Sequence, residues 1–117
     1  MHEFSIASAV VDTAVRHARG RRVTVVTVRF GRLRQVVPDA LAFAFGIVTR
    51  ETVCEGARLE QVVVPARLRC APCAHEWEIE VPAFRCPRCA GAQVAVLTGE
   101  ELEVESIEVE EDVACTA

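Results

Sequence analysis

Residues 70–89 read CAPCAHEWEIEVPAFRCPRC, two Cys-x-x-Cys pairs with twelve residues between them. Each pair bends the chain so that two sulfurs face one point. Bringing the pairs together supplies four thiolates at about 2.3 Å from a tetrahedral ion, with no position left open for substrate. Cys70, Cys73, Cys86 and Cys89 are therefore read as a structural zinc site. A redox dithiol would need only one such pair beside a βαβ pattern. Spacing alone does not separate zinc from iron in a rubredoxin-like site. Between the pairs, Trp77, Ile79 and Val81 alternate with Glu76, Glu78 and Glu80, a short strand whose apolar side can cover the metal. A stretch of fewer than about 30 residues buries too little to fold alone and needs the ion to hold it.

Outward from this module the chain reads as an ordinary small fold. Upstream, residues 4–18 place Phe4, Ile6, Ala9, Val10 and Ala14, flanked by Val11 and Val15, around one helical face, and Gly20 offers a stop. The run from Arg21 to Phe30, RRVTVVTVRF, is crowded with β-branched residues and predicts a strand ending at Gly31. Pro38 opens a second helix with Asp39 in its first turn and Leu41, Phe45 and Val48 along one side. RLEQVVV at 58–64 predicts a second strand, closed by Pro65. Downstream, ELEVESIEVEE at 101–111 alternates acid and aliphatic, a third strand with a row of carboxylates in water. Leu102 and Val104 share a parity that Ile107 and Val109 do not, which predicts a bulge or bend near Glu105 and Ser106.

The resulting class is α+β: a small three-stranded sheet with two helices on one face, plus an inserted four-cysteine, zinc-ribbon-like module. Residues 1–66 with 95–117 form the main domain, and 67–94 the insert.

With 117 residues, 51% of them hydrophobic, there is room for one or two small domains and no large enzyme. No run approaches the roughly 18 apolar residues of a membrane span, and the start, MHEFSIASAVVD, carries acids where a secretory signal needs positive charge. The expected address is the cytoplasm, where thiols stay reduced and clustered ones bind metal. Of six cysteines, Cys54 reads as a small buried hydrophobe and Cys115 as part of a frayed tail. His75, two residues past Cys73, is placed to replace a ligand, to hydrogen-bond a sulfur, or to stand in solvent.

Charge is uneven. Residues 1–69 hold 11 Arg against 6 acids (+5), and residues 70–117 hold 2 Arg against 11 acids (−9), summing to the net −4. The second half should repel phosphate backbones and attract cations or basic partners.

At the amino terminus, the free amine of Met1, the intervening backbone nitrogens and the His2 imidazole can close chelate rings around one metal. Nitrogen-rich, near-planar coordination is what Ni(II) and Cu(II) accept. Binding should strengthen as pH rises through the ranges of histidine and the amine, about 6.5 to 8. The helix that follows gives these residues a fixed base.

MHEFSI at the start, GRL at 31–33, Val37-Pro38 leading into LAFAF at 41–45, EGARLE at 55–60, the paired CAPC and CPRC, and GEELEVESIEVE at 99–110 together resemble the HypA/HybF family, nickel metallochaperones of [NiFe]-hydrogenase maturation. The resemblance covers nearly the whole chain in order. It implies a nickel-binding α/β domain with a zinc domain inserted before its last strand. It implies Ni(II) as transferred cargo held at Met1, His2 and Glu3, with backbone nitrogens of His2 and Glu3 contributing, and structural Zn(II) on the four cysteines. The implied partners are a HypB-type nickel-handling GTPase and the hydrogenase large-subunit precursor, with urease maturation proteins for some relatives. Ala90 departs from the family's usual glycine after CPRC, so either Ala90 adopts a positive φ or Gly91 takes the turn.

Two other classes compete. A zinc-ribbon module for nucleic acid or protein interaction would use RHARGRR at 16–22 and the arginines at 29, 32 and 34, but the ribbon is acidic and lacks the basic groove with stacking aromatics that single strands require. An enzyme would need a phosphate loop, a nucleophile set or an open metal trio, and none can be assembled. The expectation is a non-enzymatic carrier without nucleic-acid or membrane partners.

Overall fold

The structure, a computed structural model, describes residues 2–110, in the order α1 (Glu3–Ala18), β1 (Val23–Gly31), a 3-10 turn (Arg32–Arg34), α2 (Pro38–Val48), β2 (Arg58–Val64), β3 (Ala66–Cys70), β4 (Glu76–Ile79), β5 (Val94–Thr98) and β6 (Leu102–Val109). The chain packs as two compact units. Residues 111–117, and with them Cys115, lie outside the described residues, as does Met1.

The first unit takes in described residues 2–28, 36–62 and 103–110. Its helices α1 and α2 pack on one another. The sheet has the order β2-β1-β6, so the valine-rich β1 is central. Along β1, Val26, Val28 and Phe30 are buried while Val25, Thr27 and Arg29 between them are only half-buried. That difference separates a buried face of β1 from a less buried one. Pro38 at the first position of α2 starts that helix where a missing N–H costs nothing, and Arg19 in a left-handed conformation ends α1 ahead of Gly20.

The buried stripe of α1 differs from the expected face. Glu3, Ala7, Val10, Val11, Ala14 and Ala18 are buried, whereas Phe4 is half exposed and Ala9 is exposed too. The reason is size, since alanines at 7, 14 and 18 let two helices approach closely and a phenylalanine on that line would hold them apart. On α2 the buried residues are Leu41, Ala44 and Phe45, with Val48 half-buried.

The less exposed positions of β6 change parity where a bend was expected. Val104, Ile107 and Val109 are half-buried, whereas Glu103, Glu105, Ser106 and Glu108 are exposed. Glu110 N donates to Arg22 O (2.9 Å) and Gly31 N to Glu101 O (2.8 Å), two bonds nine residues apart on each strand, an odd spacing that one unbroken antiparallel ladder does not produce. β1 slips as well, where Val23 and then Val26 are buried.

The second unit spans Arg29–Gln35 and Val63–Leu102. It holds a second three-stranded sheet, β4-β3-β5, of which only the Trp77 segment was expected. β3 pairs antiparallel with both neighbours, setting Leu68 opposite Trp77 and Val96, and Cys70 opposite Val94. Ala66, Leu68 and Cys70 face inward and are buried; Arg67 and Arg69 face outward across from Glu78 and Glu76. Val81 lies beyond β4 and is largely exposed, so it covers nothing.

Two glycines fix how this unit closes. A β-carbon on Gly31 would overlap the carbonyl group of Gly99, and one on Gly99, at φ 119°, would lie 2.7 Å from Ala66 Cα. The backbones touch there, sealed by Leu33 N donating to Gly99 O (2.9 Å), Gly99 N to Glu101 Oε1 (2.8 Å) and Arg34 Nε to Glu100 O (2.7 Å).

Candidate metal centres

β3 delivers Cys70 from its inward face, and two backbone knuckles place the other sulfurs. In the first knuckle Cys70 N donates to His75 O (2.8 Å) and Ala74 N to Cys70 O (2.8 Å). In the second, Cys86 N donates to Gly91 O (3.0 Å) and Ala90 N to Cys86 O (2.8 Å), repeating the pattern. Each knuckle needs a left-handed residue after its second cysteine, and alanine supplies it both times: Ala74 at φ 61° and Ala90 at φ 59°. Ala90 itself takes the turn. Gly91 serves another purpose, since a β-carbon there would lie 3.2 Å from Cys89 Sγ.

All four Sγ atoms lie within 4.8 Å of one another, with Cys70–Cys89 at 3.5 Å and Cys73–Cys86 at 3.6 Å. A regular tetrahedron with 2.3 Å metal–sulfur bonds has edges of about 3.8 Å, so the cluster fits one tetrahedral ion. Cys70 and Cys86 are buried, and Cys73 and Cys89 reach the surface. Although burial resists ionisation of Cys86, backbone N–H groups of Cys89 and Arg88 aimed at its sulfur draw it down to about 7. The Cys73 N–H favours the Cys70 thiolate, but burial and the neighbouring sulfurs push that thiol up to about 12. Four thiolates this close require a cation between them.

His75 is not one of the cluster; its ring stacks on Trp77 with centroids 5.6 Å apart and planes 9° from parallel. Cys54 is fully buried in the first unit, where burial pushes its thiol up and leaves it an inert hydrophobe.

At the amino terminus, His2 is exposed at the N-cap of α1, and its side chain makes no cap hydrogen bond. Its carbonyl accepts from Ile6 N (2.9 Å) and starts the helix. Glu3 behaves oppositely. It is only 7% exposed, and its Oε2 accepts from Val37 N (3.1 Å), just ahead of α2. The charged amino terminus, then the Val37 N–H, hold the Glu3 carboxyl down to about 2. The start of α2 is tied from the other side by Gln61 on β2, whose Nε2 donates to Pro38 O (3.0 Å).

Residues 1–109 match the family described as hydrogenase/urease nickel incorporation, metallochaperone, hypA. The chain belongs to the HypA family. It is 46% identical over 110 residues to a hydrogenase maturation factor HypA of Geotalea uraniireducens, covering 94% of this chain and 100% of that one. A HypA of Streptomyces avermitilis is 45% identical over 116 residues, covering 95% of this chain and 88% of that one. Among solved structures, that of the Ni metallochaperone HypA from Helicobacter pylori matches with a TM-score of 0.67 at 26% identity, over 93% of this chain and 97% of that one. The function expected from the resemblance, nickel handling in hydrogenase maturation, is that of the HypA family.

Within this HypA chain, the anchoring roles of the Glu3 carboxylate and of Gln61 were missed by sequence reasoning. Glu3 carried a signal, an acid in the first turn of a helix. Gln61 carried a weaker one: it is a polar residue sharing strand parity with Leu59, and both are half-buried.

Proposed function

We propose that this chain carries Ni(II) at its amino terminus and passes it to a nickel enzyme under assembly. The His2 imidazole, the Met1 amine and the backbone nitrogens of His2 and Glu3 would hold the ion. Cys70, Cys73, Cys86 and Cys89 would hold structural Zn(II). The observation carrying this reading is the contrast between adjacent residues: His2 is exposed with its imidazole unused as a cap, while Glu3 is buried and pinned to Val37. An imidazole with no structural duty, next to a residue that is fixed, can join a chelate around a metal and leave it by stepwise ligand exchange.

In this reading the carrier catalyses nothing itself. A HypB-type GTPase supplies the energy of nucleotide hydrolysis, and the [NiFe]-hydrogenase large-subunit precursor receives the ion. Urease maturation proteins are a second destination suggested by the family description. The work takes place in the cytoplasm, and among the described residues no helix is long and apolar enough to cross a membrane.

The test is a nickel titration of untagged, zinc-replete protein beside His2→Ala, following the absorption of near-planar Ni(II). The parent should bind one nickel that the variant does not, both keeping their zinc. An amino-terminal extension, which removes the free amine, should abolish binding as well. Equal nickel binding by parent and His2→Ala would refute the site.

A further inference from the structure

The run RHARGRR at 16–22 ends α1 and turns the chain into β1. Its plain role is to neutralise the negative end of a helix and cap its carbonyls. Two of its arginines do so. Arg21 Nε donates to Ala18 O (2.9 Å), and Arg16 reaches Asp12 O through Nε and Thr13 Oγ1 through Nη2 (3.4 Å each). Arg19 has no such excuse. Its backbone stands at φ 52°, where a β-carbon costs about 1 kcal/mol or more and glycine would cap the helix at less cost.

Arg16, His17, Arg19 and Arg21 alone, among the described residues, line one open concavity of about 520 Å³. Among the described residues no carboxylate forms an ion pair with Arg16, Arg19 or Arg21. His17 Nδ1 lies 2.8 Å from Thr13 O and so carries the proton there, which leaves Nε2 an acceptor and the donors of this corner to the arginines. The stems of Arg16 and Arg21 are held by their Nε bonds, which leaves Nη groups presented at little further entropic cost.

The lining also says what does not bind. Among the described residues the lining has no Phe, Tyr or Trp to serve as a stacking platform and no apolar wall to seat a peptide's anchor side chain. What remains is a compact anion with many oxygens, larger than a single phosphate. We propose that this corner is a polyphosphate-binding site, taking a chain of two or three phosphate groups through the guanidinium forks of Arg16, Arg19 and Arg21. The chemistry is the same for inorganic polyphosphate and for the phosphate tail of a nucleotide.

The experiment is calorimetric titration of the full zinc-loaded chain, in magnesium-free buffer, with tripolyphosphate, ATP, adenosine and hexaglutamate in turn. Tripolyphosphate and ATP should each bind once with similar affinity, and adenosine should not bind. Arg19→Gly removes the fork while relieving the backbone, so loss of fold cannot explain its effect; it and Arg21→Gln should each weaken tripolyphosphate binding by roughly tenfold, the worth of one charge-assisted hydrogen bond. Arg32→Gln, an exposed arginine of the second unit, should leave it unchanged. Unchanged affinity in both corner variants would overturn the proposal, as would several weak sites per chain. So would ATP binding without tripolyphosphate, or hexaglutamate outcompeting it, the latter marking a surface for an acidic protein segment.

Discussion

Ala74 and Ala90 occupy the same place in the two knuckles, and each adopts a backbone conformation that glycine would take without strain. Replacing Ala90 by glycine should stabilise the metal module by about 0.5–1 kcal/mol, the relief of a left-handed β-carbon less the extra freedom glycine has when unfolded. Denaturant midpoints read by the emission of Trp77, the only tryptophan, check this. Gly91→Ala should do the opposite, because its β-carbon crowds Cys89 Sγ. At the other end of the chain, Glu3 titrates near 2 instead of its ordinary 4.5. A depressed carboxyl contributes stability above its unfolded value and loses it as pH falls toward the folded one, so the Glu3 contribution is present at neutral pH and disappears between about 4.5 and 2. Glu3→Gln should therefore melt at a lower temperature than the parent at pH 7, and the difference should shrink in melts at pH 3.5 and 2.5. A constant difference at every pH would sink this account.

At the scale of elements, most helix and strand positions follow from periodicity, because each element's apolar spacing answers to its own geometry. β2 at Arg58–Val64 coincides with the segment read from RLEQVVV, and α2 begins at the predicted proline. The flanking strands β3 and β5 were not legible. Ala66–Cys70 alternates arginine with small and apolar residues over only five positions, too short a run to separate from a loop until a partner strand is known. Contact between Gly31 and Gly99 was equally hidden, although both lie in the GRL and GEE segments of the family resemblance. Gly31→Ala should destabilise the second unit by more than about 2 kcal/mol, since two backbones must separate and neither can rotate aside. Thermal melting of this variant beside Gly46→Ala, where a β-carbon meets open space, checks it.

For the whole molecule, the two units draw on different sources of stability. The first has a core of its own, with Ala7, Val10, Val11, Ala14, Leu41, Ala44 and Phe45 buried without any help from sulfur. The second buries Ala66, Leu68, Cys70 and Cys86 around four sulfurs that repel one another as thiolates. Stripping the metal with a chelator should unfold the second unit, shifting Trp77 emission to the red as its stack on His75 is lost. The helical circular dichroism of α1 and α2 should persist. Loss of both signals in one transition would show instead that the units fold as one.

In its sequence alone, the pairing of this protein's four clustered cysteines, its α+β class and its family were legible. Cysteine spacing and hydrophobic period are local patterns, and the order of motifs along the chain is written directly in the residues. Tertiary structure alone decided that Glu3 is an anchor, that two glycines close the second unit, and that three arginines and a histidine share one concavity. These outcomes depend on backbones and side chains meeting across a turn or across dozens of residues, and such meetings leave no period to read.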